Sequence, residues 1–87
     1  MKNFLIVFKN NYTIFNAKDI KEALVFCFNY ITSESQVLAR KQFKNFLNDY
    51  ISDNDILSMI DAFNKFSNYN EEIICIYEIA NCLYQKG

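Results

Sequence analysis

Residues 4–15 read Phe4-Leu5-Ile6-Val7-Phe8-Lys9-Asn10-Asn11-Tyr12-Thr13-Ile14-Phe15. Two runs of β-branched and aromatic side chains flank a short polar break, which is the pattern of a hairpin. Asn accepts positive φ, so Asn10 and Asn11 can form a two-residue turn. In that register Val7 faces Ile14 and Ile6 faces Phe15. The first strand is apolar at every position from Phe4 to Phe8. A strand of that kind is covered on both faces or has a further strand beside it. A lone hairpin is marginal in water, so the rest of the chain must cover the one placed at residues 3–17.

Downstream, Asp19-Ile20-Lys21-Glu22 has the form of a capping box. The helix behind it, over about 20–31, aligns Ile20, Leu24, Cys27 and Ile31. Ala23, Phe28 and Tyr30 widen that stripe, while Val25 and Phe26 fall outside it. So wide an arc belongs to a deeply buried helix or to one with a second partner. Thr32-Ser33-Glu34-Ser35 ends it and opens a second helix over 35–51, with Ala39, Phe43, Phe46, Leu47 and Tyr50 inward. Ser52-Asp53-Asn54-Asp55 supplies the next stop and N-cap. A third helix over 55–67 turns Ile56, Met59, Ile60, Phe63 and Phe66 inward.

Residues 70–85 read two ways. Ile73-Ile74-Cys75-Ile76-Tyr77 has strand propensity, yet a strand over 72–79 has no polar face. Helical spacing puts Ile73, Ile76, Ala80, Leu83 and Tyr84 on one side and Glu71, Glu78, Asn81 and Gln85 on the other. The periodicity predicts a fourth helix over 70–85. The expected architecture is α+β, with an N-terminal β-hairpin packed against three to four helices in a single compact domain over residues 1–87.

Composition agrees with one globular unit. An 87-residue chain buries roughly 64% of its unfolded surface. With 52% apolar and 22% charged residues, disorder is excluded. Nine Phe and six Tyr, each able to bury about 150–250 Å², strain the capacity of so small a core. Part of them is expected at the surface, where clustered apolar area marks a partner; the alternative is that they replace Leu and Met inside. Phe, Tyr, Met, Ile, Asn and Lys make up 48 residues, against 7 for Gly, Ala, Arg and Pro. AT-rich codons specify the first group, which points to a low-GC bacterium, its phage or a similarly biased genome.

Catalytic and metal-binding apparatus is not evident. Histidine, the commonest general base and metal ligand, does not occur. Gly87 is the only glycine, so neither a P-loop nor a dinucleotide fingerprint exists. Cys27, Cys75 and Cys82 contain no C-x-x-C pair and read as reduced thiols of a cytosolic protein. Asp49, Asp53 and Asp55 invite a calcium reading, but an EF-hand loop from Asp53 lacks its glycine and has Asn64 at the twelfth position. The apolar run Phe4–Phe8 is too short for a signal peptide, and nothing approaches a membrane span. The sequon Asn11-Tyr12-Thr13 is accidental without secretion. The expectation is no enzyme, no cofactor, no metal and no membrane.

Charge divides the chain. Residues 1–44 carry a net +4 and residues 45–87 a net −5. Arg40, Lys41 and Lys44 share one outward side of the second helix and are the candidate contacts to nucleic acid. Three cations make a small footprint, and neither a helix-turn-helix glycine nor an RNA-recognition aromatic motif is present. Phe26, Asp61, Glu71, Glu72 and Glu78 are the candidate contacts to a protein, the acids steering a basic surface. The leading expectation is a small protein-binding module in the bacterial cytoplasm. A phage or mobile-element inhibitor of a host defence complex, in the manner of anti-CRISPR proteins, fits its size and composition. A homo-oligomer and a nucleic-acid-binding accessory protein are the alternatives.

Overall fold

Polar breaks divide the chain into β1 (Lys2–Phe8), β2 (Tyr12–Ala17), α1 (Ile20–Ile31), α2 (Val37–Tyr50), α3 (Ile56–Ser67), β3 (Ile73–Glu78) and β4 (Asn81–Gln85). The computed structural model describes residues 1–68, 71–79 and 81–87. Two hairpins, one at each end of the sequence, join into a four-stranded sheet of order β2-β1-β3-β4, antiparallel throughout. The three helices between them cover one face. The α+β class and the N-terminal hairpin are as expected. The all-apolar first strand is explained by its place: β1 is central, with β2 on one side and β3 on the other.

Two expectations are corrected. In the first hairpin Val7 pairs with Tyr12 and Leu5 with Ile14, so Ile6 faces Thr13 and Phe4 faces Phe15. The turn residues are Lys9 and Asn10, closed by a hydrogen bond from the Phe8 N–H to the Asn11 carbonyl (2.8 Å). A slip of two positions between facing partners keeps every side chain on its own face. That is why the hydrophobic pattern did not decide between the two registers.

The second correction is larger. The predicted helix over 70–85 is a hairpin, β3 and β4; of that range, Asn70 and Ala80 lie outside the described residues. Each strand carries a one-residue register shift. Val7 pairs with Cys75 but Phe8 with Ile73, and Ile76 pairs with Tyr84 but Tyr77 with Cys82. The extra residues, Ile74 and Leu83, break the two-residue alternation. Ile73 and Ile76 are both buried three positions apart, and Leu83 and Tyr84 both pack on the core. Bulged strands thereby reproduced the spacing of a helical stripe.

The helices follow their predicted spans closely. Asp19 caps α1 by accepting the Glu22 N–H (2.9 Å), and Glu22 reaches back to the Lys18 N–H (3.0 Å). The second helix begins later than predicted, because a 3₁₀ turn at Glu34–Gln36 precedes it. Asp55 caps α3 through the Ser58 N–H (3.1 Å) and hydroxyl (2.7 Å). Phe4, Ile6 and Phe8 face the helices, where Leu24, Cys27 and Phe28 of α1, Phe43 and Leu47 of α2, and Met59, Ile60 and Phe63 of α3 complete the core. Each helix donates one ring to its centre. Phe63 stands edge-on to both Phe28 (5.7 Å) and Phe43 (5.6 Å), and Phe8 of the sheet approaches Phe63 at 6.3 Å. Tyr30 and Tyr50, placed inward by periodicity, are exposed. Both sit at helix ends, where Tyr30 lies edge-on to Phe15 and Tyr50 tilts against Phe46.

Candidate protein-binding surface

Alternation along a strand that buries Phe4, Ile6 and Phe8 must send Leu5 and Val7 the other way. Pairing extends that outer face across the sheet. Leu5 lies between Ile14 and Tyr77, Val7 between Tyr12 and Cys75, and Asn3 beside Asn16. Tyr77 is opposite Cys82, and Cys75 is opposite Gln85. None of the described helices lies over these residues: Tyr12 is 70% exposed and Ile14 61% exposed. None of the ten is charged. Four strands at about 4.8 Å spacing and five residues at about 3.3 Å rise give roughly 300 Å² in projection. Its apolar members, Leu5, Val7, Tyr12, Ile14, Cys75, Tyr77 and Cys82, are contiguous across that area, and contiguous exposed apolar surface marks a candidate contact.

Charges appear only around the border. Lys2 pairs with Glu78 (3.8 Å) at one end of the sheet, and Lys86 with Glu72 (2.6 Å) at the other. A centre depleted of charge and rich in Tyr, inside a polar rim, is the anatomy of a protein–protein contact. Within this face the thiols of Cys82 and Cys75, together with partial burial, hold the Tyr77 hydroxyl above the usual phenol range. Burial raises the Cys75 thiol, and Cys82 adds to that shift. Ile79, at the end of the second hairpin, is 82% exposed and has φ of 56°. Positive φ in a β-branched residue is an outlier.

The residues predicted from sequence fall in several places. Phe26 is partly exposed on α1 and lines a cleft that also contains Lys44. Asp61 is exposed on α3. Glu71 accepts from the Asn10 amide (2.8 Å), Glu72 holds Lys86, and Glu78 holds Lys2. Glu72 and Glu78 lie at opposite ends of β3, so the acids form no single patch. On α2, Lys41 and Lys44 are exposed. Arg40 is turned to the end of α1, where its Nε donates to the Thr32 hydroxyl (2.8 Å) and Nη2 to the Asn29 (2.8 Å) and Thr32 carbonyls.

The outer sheet face itself was missed in the sequence. Its signal was present in the absence of a polar face from both β-prone segments, which for residues 72–79 served instead as an argument for a helix. Among the described residues no group of three or more acids or cysteines is placed to hold a metal ion, and no helix is long and apolar enough to cross a membrane. Comparisons with protein-family models, curated proteins and solved structures found no match.

Proposed function

We propose that this protein is a non-catalytic module that binds another protein through the outer face of its sheet. One observation carries the reading: ten side chains across four strands include no charge, although 22% of the chain is charged. Solvated antiparallel sheets ordinarily alternate apolar-in with polar-out. Here the outward positions of the two central strands are Leu5, Val7, Cys75 and Tyr77, with Asn3 at the end. Exposed Ile79 beside this face breaks a backbone rule and a solvation rule at once, and departures of this kind gather at functional sites.

The nucleic-acid reading has less behind it. With the Arg40 guanidinium occupied by the end of α1, only Lys41 and Lys44 of that set are free to meet phosphates. Two cations supply a small electrostatic footprint. A second copy of the chain is the other occupant the sheet face accommodates, since a two-fold axis makes one patch its own partner. The defence-inhibitor role is a special case of the protein-binding reading, supported by size and composition alone.

The test is capture of partners from nuclease-treated lysate of a low-GC bacterial host, comparing the wild type with Ile14→Lys and Lys41→Glu. Ile14 is exposed on the edge strand β2, so Lys there leaves folding intact while placing a charge on the charge-free face. A stoichiometric protein lost more than tenfold by Ile14→Lys, as for an interface hot spot, and kept by Lys41→Glu supports the reading. Loss with Lys41→Glu or with nuclease alone refutes it. A dimer mass in light scattering that Ile14→Lys abolishes assigns the face to a second copy.

A further inference from the structure

We infer that Cys75 and Cys82 form a two-thiolate site on the outer sheet face for a soft monovalent metal ion, Cu(I). The register sets their spacing. Cys82 is directly opposite Tyr77, and Cys75 precedes Tyr77 by two residues on the same face, so the cysteines are diagonal neighbours on adjacent strands. Such neighbours are about 7–8 Å apart, somewhat less between Cβ atoms. A disulfide needs Cβ atoms about 3.5–4.5 Å apart, so this pair does not close into one without backbone movement. Two metal–sulfur bonds of about 2.3 Å, the zinc–thiolate length, set end to end separate the sulfurs by about 4.6 Å. With the two Cβ–S bonds added, a metal-bridged pair matches the diagonal spacing.

Side-chain direction agrees with the spacing. The Cys82 sulfur leans along β4 to 3.5 Å from the Tyr84 carbonyl, toward Gln85, which is the residue opposite Cys75. The Tyr77 hydroxyl lies within hydrogen-bonding reach of both thiols, so the two sulfurs converge on one oxygen. Cys82 is exposed and Cys75 half-buried, which leaves an approach from solvent; the third thiol, Cys27, is in the core. The donor set selects the ion. This face carries no carboxylate and the chain no histidine, so hard cations, which need oxygen ligands, have little to hold them. A structural zinc ion takes four donors, and among the described residues no group of three or more candidate ligands is gathered. Thiolates favour Cu(I), whose filled shell is satisfied by two ligands in line. Each thiol gives up its proton on binding, so one ion displaces two protons.

The site does not rest on the protein-binding reading, and its test uses the isolated protein. The reduced full-length chain is titrated without oxygen against the coloured Cu(I)–bicinchoninate complex. The expected result is transfer of one Cu(I) per chain, with X-ray absorption at the copper edge reading two sulfur neighbours. Cys75→Ser and Cys82→Ser change outward-facing side chains and leave the core intact. Each weakens binding by about a hundredfold or more, because the remaining thiolate loses the effective concentration of its neighbour. Ile14→Lys, on the far edge strand, leaves copper binding unchanged, so the two readings fail separately. Absence of copper transfer overturns the inference, as does binding that survives either serine substitution. One ion per two chains also overturns it, since exposed Cys82 of two copies would then bridge the metal.

Discussion

The rings of Phe28 and Phe43 stack with centroids 4.6 Å apart and planes 14° from parallel. This contact joins α1 to α2, and Phe63 of α3 closes it by meeting both edge-on. α2 relies on it more than the other helices do, because only Phe43 and Leu47 of α2 are fully buried. Phe43→Ala is expected to cost about 3–5 kcal/mol, from lost burial plus the cavity left behind. A Phe28/Phe43 double-mutant cycle should leave a coupling of about 0.5–1.5 kcal/mol, the part that stacking adds to burial. Urea unfolding monitored by circular dichroism measures both, and purely additive losses would deny the stack any energy of its own.

Arg40 is a second tie between α1 and α2. Its guanidinium satisfies the Asn29 and Thr32 carbonyls at the C-terminus of α1, where a cation also opposes the negative end of the helix dipole. Arg40→Ala is expected to destabilise the fold by about 1.5–3 kcal/mol, the range for hydrogen bonds involving a charged group. Lys41→Ala, one residue on and exposed, should stay within about 0.5 kcal/mol. Equal effects of the two in thermal or urea unfolding would place Arg40 in solvent, with the nucleic-acid candidates.

Helices were legible wherever a cap and a core stripe coincided. Asp19 before Leu24, Cys27 and Phe28, and Asp55 before Met59, Ile60 and Phe63, set two spans nearly to the residue. The C-terminal hairpin was not, for two physical reasons. The bulge residues Ile74 and Leu83 impose a three-residue spacing on inward side chains. The outward residues Cys75 and Tyr77 are apolar because they belong to the open sheet face, so alternation in hydrophobicity does not exist to be read. Arg40 was misjudged for another reason: a helical wheel places it beside Lys41 and Lys44, but only tertiary packing brings the end of α1 within its reach.

The three thiols provide a chemical check on which face of the sheet is open. Cys27 is buried in the core, and desolvation pushes its thiol up to about 12. Cys75 is half-buried and raised, whereas Cys82 is exposed. Since the thiolate is the reactive form, a disulfide reagent at neutral pH should modify Cys82 first and Cys75 more slowly. Cys27 should react only after unfolding. Mass mapping of the labelled peptides reads the order, and labelling of Cys27 in the native protein would contradict the packing of α1. If the sheet face binds a protein, that partner should also protect Cys82 and Cys75.

Ile79 separates stability from binding. Glu78 pairs with Asn81, so Ile79 lies in the connection between β3 and β4, with φ of 56°. The left-handed region costs an ordinary side chain about 1–2 kcal/mol, and Asn tolerates it far better than a β-branched residue does. Ile79→Asn also removes a large apolar group from water, so it is expected to raise stability by about 1 kcal/mol or somewhat more. If the sheet face binds a protein, the same change also removes an exposed apolar side chain beside it. A more stable variant that captures less partner is therefore the expected pair of results from urea unfolding and pull-down. Higher stability with undiminished capture would make Ile79 a strained turn residue and nothing more. Unchanged stability would mean that the backbone at this turn does not adopt the left-handed conformation.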